Sequence, residues 1–523
     1  MVGIFSVRGW RSALLMLCVV TLVWLLIIAG LGLLSGGAGI WARMLALEPG
    51  MAESVLGNFP EVIVGVLGIT ITVVSITLQL AATRYTHRVT EMFFHDRGNL
   101  AVLAFYVVAS VHCVIAAILV RNGIAPQLLL TSTLLIVVVT VLLLVPYFIY
   151  VFAFLDPARL VTHLKHEAVS IFLHSRAEQD LRQLRQSQLA FRGAVEQLSD
   201  VALHALSQQD RGIASMTSDA LRDIATTYVG HKSGMVEEWF KIKGQASQCA
   251  ELEILSEESV ERLEHSRSWL EWMVLRQMFT IYQASLNRMR DVVRLVSINL
   301  RQVSELALRE KDEAVIDLCI RYFNSFLRSA INRKDVRSAY NVLDQYRNFA
   351  ESALEGGAER VVDGVTQHLA YYGRLANHSG LPFITETAAF DLASLCELAY
   401  LRAYDGHESI LERLLKVDEQ PESKAEENSL RGVRKAQIKL ACFYLSAGGD
   451  DLARIIAHDM ADEDLERLKR LRGELLAAVE PEFWEVVDRG RNFDYLPPEQ
   501  REQIENFYRM LSISGDDPAP TDQ

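Results

Sequence analysis

The sequence predicts an all-α chain in two unequal parts: a four-helix transmembrane bundle with both termini inside, then a large helical, solenoid-like cytosolic domain. Three observations predict it. Half of the residues are apolar, yet nearly all the long apolar runs lie before Asp156. Beyond Asp156 apolar residues recur at i, i+3, i+4 and i+7, the helical period, and β-type alternation is rare. Charge divides at the same place. Residues 1–155 hold seven Arg, no Lys and five acids, so the remainder carries 45 bases, 60 acids and a net charge of -15. An acidic part of that kind is a poor partner for nucleic acid, which needs clustered Lys and Arg.

A bilayer core of about 30 Å needs about 20 apolar residues in a helix. Four segments meet this: 13–34, 60–83, 100–120 and 127–155. In lipid each is helical, because no water satisfies the backbone. The first run exceeds the h-region of a cleaved signal peptide and no A-x-A site follows it. Arg8 and Arg11 precede span one, Arg84, Arg88 and Arg97 lie between spans two and three, and Arg159, Lys165 and Arg176 follow span four. The alternate loops carry only Arg43 and Arg121, so the bias places the N- and C-termini inside. Ser35–Asn58 is the one sizeable outside loop, and Arg121–Pro126 closes a hairpin between spans three and four. Six scattered cysteines with no CxxC spacing suggest neither a zinc site nor a disulfide framework, and fit a reducing compartment.

Span two is the informative one. Glu61, Gly65, Gly68, Thr72, Ser75, Gln79 and Ala82 step by four and three, so they share one helix face that is small and polar from end to end. Such a face is either a packing seam between helices or the wall of a water-filled path. Gln79 carries the only primary amide well inside a span and needs a partner or water. Arg84, Arg88 and Arg97 form a basic cluster at the membrane mouth, either anchoring the span at anionic headgroups or, as a ring in an oligomer, attracting anions. His112 is an intramembrane polar residue in span three, expected to be neutral and bonded to a neighbouring helix. Pro146 predicts a kink in span four.

The run Val74-Ser75-Ile76-Thr77-Leu78-Gln79-Leu80-Ala81-Ala82, followed by Arg88, Phe94, Asp96 and Arg97, resembles the bacterial membrane protein family known as domain of unknown function 2254 (DUF2254). That family has a polar S-I-T-L-x-x-L-Q-L-A span and a P-R-x-L-x-x-F-x-x-D-R segment; here Thr86-His87-Arg88 stands where it shows Ser-Pro-Arg. Phe191, Gln197, Leu198, Asp200, Ala202, Leu203, Ala205, Leu206 and Ser207 match a second family segment. The family then reads P-G-I-N-D-P, where this chain has Gln208-Gln209-Asp210-Arg211-Gly212-Ile213. The resemblance covers roughly residues 55–230. It implies a bacterial inner-membrane location, multi-pass, and implies no activity.

The cytosolic part divides by pattern into a helical stalk and domain at 156–300, helical hairpins at 301–513 and a disordered tail at 514–523. Asp156-Pro157 is a cap followed by Pro at N1, and the charged stretch from there to about Ser187 reads as a stalk continuing from the membrane. Gly230, Gly234 and Gly244 make Tyr228–Ser247 a loop with one short helix around Val236–Ile242. Lys435–Leu445, a turn at Ser446–Asp450 and Asp451–Met460 resemble a tetratricopeptide hairpin, with Asn332–Asn348 a weaker copy, but no 34-residue period is visible. Gln420–Asn428 reads as a polar linker.

No phosphate loop, dinucleotide fingerprint, H-E-x-x-H or G-x-S-x-G is present. An enzyme is not expected, nor a cofactor or metal. His163, His166 and His174 cluster below span four, where exposed interfacial histidines are the expectation. Asn377-His378-Ser379 has the glycosylation pattern but falls on the inside. Two functional readings remain: an oligomeric channel-like permeation protein with span two lining the path, or a membrane-anchored scaffold or sensor whose helical domain recruits a cytosolic partner.

Overall fold

A computed structural model describes residues 49–84, 96–122, 127–154, 156–176, 178, 180–242, 254–418, 430–483, 489–490 and 492–511. Span one, Arg88, the linker at 420–428 and the tail at 514–523 lie outside the described residues. The described residues are helical, with no β-strand among them. The chain divides into two compact units, residues 1–166 and 167–523.

In the first unit, α1 (Pro49–Arg84), α2 (Arg97–Arg121) and α3 (Gln127–Phe154) pack pairwise into a bundle. Each holds a stretch long and apolar enough to cross a membrane: Gly57–Leu80, Gly98–Arg121 and Thr131–Phe152. Helix α1 begins at Pro49, so the last ten residues of the expected outside loop Ser35–Asn58 are helical, and Pro60 lies inside the helix rather than at its mouth. The physical reason is that Pro at N1 suits a helix start, and the residues between it and Pro60 include good helix formers such as Met51, Ala52, Glu53 and Leu56. The core is Val74, Leu78, Tyr106, Tyr147 and Val151 towards one end, and Ile63, Ala109, Cys113 and Val137 towards the other.

The expected stalk to Ser187 is two helices, not one. Helix α4 (Pro157–Ser175) stops, and Asp180 caps α5 (Leu181–Ser207) by accepting from the Arg182 N–H at 2.9 Å. In the second unit Phe172 of α4 meets Phe191 and Tyr228 edge-on, so this end of α4 is packed rather than solvated. The expected loop after Tyr228 holds two short 3₁₀ turns, Lys232–Gly234 and Glu237–Phe240, the second where a short helix was expected. It is no surface loop: Trp239 and Phe240 are buried.

The rest of the second unit is a two-layer array. One layer is α6 (Arg211–Val229), α9 (Arg290–Glu310), α11 (Val336–Glu355), α13 (Pro382–Leu401) and α15 (Arg431–Ala447), each packed on the next. The other is α5, α8 (Trp269–Ser285), α10 (Glu313–Asn332), α12 (Glu359–His378) and α14 (His407–Leu415). Helix α7 (Glu257–His265) packs on α8. The hairpin expected at Lys435–Met460 is present as α15 to α16 (Asp450–Asp459), turning at Gly448 with φ 82°; Asn332–Asn348, expected as a weaker copy, holds only the turn at Lys334 (φ 51°) and part of α11, which pairs with the preceding α10. Helices α9, α11 and α13 begin at residues 290, 336 and 382, a spacing of 46. That is the repeat, and it explains the missing 34-residue period. Helix α9 runs through residue 301 without a break.

Candidate functional site

The small polar face of α1 is turned away from the other described helices. Glu61, Gly65, Gly68, Thr72, Ser75 and Gln79 are exposed, while Ile63, Thr70, Val74, Thr77 and Leu78 are buried against the bundle. At about 100° per residue the two sets lie roughly 180° apart. The flanks between them are apolar and exposed, as at Val62, Ile69, Ile71, Ile76 and Leu80. A methyl group added at Gly65 or Gly68 would meet nothing within 4 Å. The Thr72 hydroxyl donates to the Gly68 carbonyl at 2.8 Å, so its polarity is satisfied within the helix. The side chain of Ala82 lies outside the described residues, as do those of Arg84 and Arg97, which sit at the last position of α1 and the first of α2.

Buried hydroxyls of the bundle mostly bond back to their own helices. Thr70 donates to Val66 O at 2.7 Å, Ser110 to Tyr106 O at 2.8 Å and Thr140 to Ile136 O at 2.7 Å. Hydrogen bonds between helices also occur among the described residues. His112 Nε2 lies 3.2 Å from Thr133 Oγ1. The Thr133 hydroxyl also lies 2.7 Å from Leu129 O of its own helix. His112 is thus the neighbour-bonded histidine expected from the sequence. Two more bonds join α2 to α3 at one end. Tyr147 donates to Asn99 Oδ1 at 2.5 Å, and Tyr150 donates to the carboxylate of Asp96, which also caps α2 through the Asn99 N–H at 2.9 Å. Gly98 belongs to this knot: a Cβ there would stand 3.0 Å from Asp96 Oδ2 and 3.2 Å from Tyr150 Oη. Sequence reasoning missed the two tyrosines.

In the second unit a polar ladder follows the 46-residue repeat. Asn299, Gln345, Asp391 and Gln437 occupy successive helices α9, α11, α13 and α15, and all four are buried. Guanidinium groups join the rungs. Arg222 Nη1 donates to Asn299 Oδ1 at 3.2 Å, Arg301 Nε to Gln345 Oε1 at 2.8 Å, and Arg347 Nε lies 3.3 Å from Asp391 Oδ1. At this spacing Arg301, Arg347, residue 393 and Lys439 are equivalent, and residue 393 is alanine. By the earlier pattern a cation at 393 would serve Gln437, whose Oε1 is buried without a hydrogen-bond partner among the described residues while its amide donates to Asp418 at 2.8 Å; Arg489, from outside the repeats, instead adds a second guanidinium at Asp391. Arg489 enters beside Ala393, with Nη1 2.5 Å from Asp391 Oδ1, Nη2 donating to Tyr340 O at 2.7 Å, and its guanidinium 4.2 Å above the Tyr340 ring. Recurrence of Arg at 301 and 347, two residues after a polar residue, was the signal that could have revealed the ladder.

A second buried charge cluster stands nearer the start of the unit. Lys232 Nζ lies 2.9 Å from Glu271 Oε1 and 2.6 Å from Asp312 Oδ2. The Glu271 side chain is 0% exposed, and neither oxygen has a well-aligned hydrogen-bond donor among the described residues. Burial raises the Glu271 carboxyl and the Lys232 charge brings it only part of the way back. Burial works against the Lys232 ammonium, but Glu271 and Asp312 outweigh it and lift it above the usual lysine range. Nearby Cys319 is pushed up to about 12 by burial. It is a free thiol, as are Cys113, Cys396 and Cys442. Of the interfacial histidines, His174 Nδ1 lies 2.6 Å from Ser170 O. Asn377 of the glycosylation pattern is buried at the end of α12.

Residues 8–193 match the family model described as predicted membrane protein (DUF2254), the family that span two and the Phe191–Ser207 segment resemble. No curated protein sequence matches the chain. A solved structure described as a circular tandem repeat protein with novel repeat topology and enhanced subunit contact surfaces is 16% identical, covering 68% of this chain and 97% of that one at a TM-score of 0.27. The chain is thus similar over its first third to predicted membrane proteins of unknown function, with apolar helices of spanning length.

Proposed function

We propose that this protein is an oligomeric, channel-like permeation protein of the bacterial inner membrane, with the Glu61–Ala82 face lining a path between subunits and the second unit in the cytosol. The supporting observation is the outward orientation of that face. A packing seam within the bundle would be buried against α2 or α3, whereas Glu61, Gly65, Gly68, Thr72, Ser75 and Gln79 are exposed on the opposite side. Three or four spans are too few for a monomeric transporter built from repeats, so a path needs several subunits. The Gln79 amide then meets water or a neighbouring subunit, which its chemistry demands in a membrane. Particle mass in detergent and single-channel recording in planar bilayers test this. A ring of four or more subunits is expected, with a conductance altered by Thr72→Leu and Gln79→Leu. Absence of conductance, or indifference to both changes, sinks the reading.

A second reading is favoured by the helical array. Stacked hairpins expose a long continuous surface suited to partner segments, and the second unit spans residues 167–523. On that reading the spans only dimerise and the array recruits a cytosolic protein. A dimer in detergent, and a co-purifying partner lost on deletion of residues 300–523, support it. A deletion that loses no partner counts against it.

A further inference from the structure

A cavity of about 510 Å³ lies in the second unit, walled by α7, α8 and α10. Trp272, Arg276 and Phe279 step by four and three along α8, so one face of that helix forms a wall. Arg321 and Tyr322 of α10 stand opposite, and Arg262 of α7 completes the rim. The aromatic groups are tied together. The Tyr322 hydroxyl donates to the Trp272 carbonyl at 3.3 Å, and Phe279 meets Tyr322 edge-on with centroids 6.1 Å apart. The Arg276 guanidinium lies 5.5 Å from the centre of the Trp272 ring.

The repeat shows why space is left here. Arg360, the second residue of α12, reaches back to α10 and pairs with Glu313 at 2.9 Å and Asp317 at 2.5 Å. One repeat earlier the second residue of α10 is Ala314, and it lines the cavity. A methyl group stands where the next repeat has a bridging guanidinium.

The charge of the lining is the reverse of its surroundings. The chain beyond residue 155 carries 45 bases against 60 acids. The cavity is lined by three arginines and one acid, Asp317, which Arg360 already neutralises. Arg262 and Arg321 are exposed and make no ion pair among the described residues. Two unpaired guanidinium groups beside an aromatic wall complement an anion carried on a planar body. A guanidinium fork matches phosphate oxygens, and aromatic rings and arginine planes stack on bases of any kind. The volume falls within the roughly 300–1,000 Å³ of small-molecule sites.

We propose that this cavity is a binding site for a small anion of the mononucleotide class, its base against the Trp272–Phe279 wall and its phosphate held by Arg262 and Arg321. The inference goes beyond both readings above. A chain that conducts nothing, or an array that recruits no partner, leaves it standing.

The test is isothermal titration calorimetry of the full chain in lipid nanodiscs with AMP, GMP, CMP and UMP in turn. At least one is expected to bind saturably with a Kd below about 1 mM, the weak end of specific association. Its free nucleoside and inorganic phosphate are each expected to bind about tenfold more weakly or worse, since each keeps only one part of the recognition. Arg262→Met and Arg321→Met are each expected to weaken binding about tenfold by removing a charge-assisted contact. Arg454→Met, an exposed arginine of α16 outside the cavity lining, is expected to change nothing. Ala314→Leu narrows the cavity while keeping every charge, and it too must weaken binding, which keeps the test open should an arginine variant fold poorly. No saturable binding by any of the four nucleotides overturns the proposal. So does binding indifferent to Arg262→Met, Arg321→Met and Ala314→Leu, or inorganic phosphate binding as tightly as the nucleotide. If dioctanoyl phosphatidic acid binds more tightly than every nucleotide, the occupant is a lipid and the assignment is wrong.

Discussion

Replacing Lys232 by methionine removes the cation on which a fully buried carboxylate depends. Glu271 is 0% exposed and its oxygens have no well-aligned donor, so Lys232 at 2.9 Å is its compensation. Asp312 loses less, because it caps α10 through the Val315 N–H at 3.2 Å and keeps some exposure. Breaking a buried pair from one side costs about 3–5 kcal/mol, and one stranded charge here sets that scale. Removing both charges in Lys232→Met/Glu271→Met is expected to recover most of the loss, since an apolar pair of similar volume avoids the desolvation cost. The pH dependence has a definite sign. The raised Lys232 value means its contribution is present below about pH 10.5 and is lost as pH rises through the folded value. The raised Glu271 value means that group favours folding below about pH 4.5 and loses that advantage as pH rises through its folded value. In Lys232→Met the deficit is therefore expected to shrink as pH falls, because protonation relieves the buried Glu271 carboxylate. Denaturant unfolding followed by tryptophan fluorescence reads this, because Trp239 and Trp269 lie in the same core as Tyr228, which feels the Glu271 charge. A loss below about 1 kcal/mol, which is ordinary for a surface pair, would refute the reasoning. So would a double variant no better than the single, or a deficit independent of pH.

Three further outcomes are expected. Gly432→Ala puts a Cβ 2.3–2.6 Å from three side-chain atoms of Glu386, including its Cβ, where α15 crosses α13; overpacking of about 1–3 kcal/mol is expected to outweigh the helix propensity gained, and thermal unfolding will show it. Asp96→Ala and Tyr150→Phe remove the two ends of one hydrogen bond, so a double-mutant cycle on unfolding in detergent is expected to give a coupling of about 0.5–3 kcal/mol, and additivity would contradict the knot. Burial lowers the His407 imidazole below its usual range while it bonds Tyr444 at 2.7 Å; its contribution is present above about pH 6.5 and lost as pH falls, so His407→Gln should flatten the acid limb of a stability–pH curve by up to about 1.4 kcal/mol per pH unit.

The spans within the described residues and the hairpin at Gly448 were legible because each rests on local signals: apolar length, helical period and a glycine turn. The outward face of α1 was legible as a stripe, since Glu61, Gly65, Gly68, Thr72, Ser75 and Gln79 share one face by spacing alone. Its direction was not, because small polar residues suit a buried seam and a wetted wall equally. The break at Ser175 was hidden by helix-compatible charge on both sides, and only Asp180, one cap among many acids, marked it. The ladder stayed invisible for a different reason. Asn299, Gln345 and Asp391 are three residue types doing one job, so a repeat defined by shape carries little identity at this position.

The two units handle buried polarity in opposite ways, and that difference bears on what each can do. In the bundle Thr70, Ser110 and Thr140 return their hydroxyls to their own helices, so these side chains hold no helix to its neighbour. Fixed register falls to His112–Thr133 on one side and the Asp96–Tyr150 knot on the other, both between α2 and α3. Helix α1 packs on its neighbours through apolar side chains such as Ile63, Val74 and Leu78, and its polar face is turned away from them. In the array the polar groups bond across helices: each rung needs the guanidinium of the helix before it, which makes adjacent repeats specify one another. An interruption of such a ladder therefore creates an unmet demand at one place. Ala393 is that interruption, and the demand falls on Gln437, whose Oε1 is buried without a hydrogen-bond partner among the described residues, while Arg489 adds a second guanidinium at Asp391 from outside the repeats.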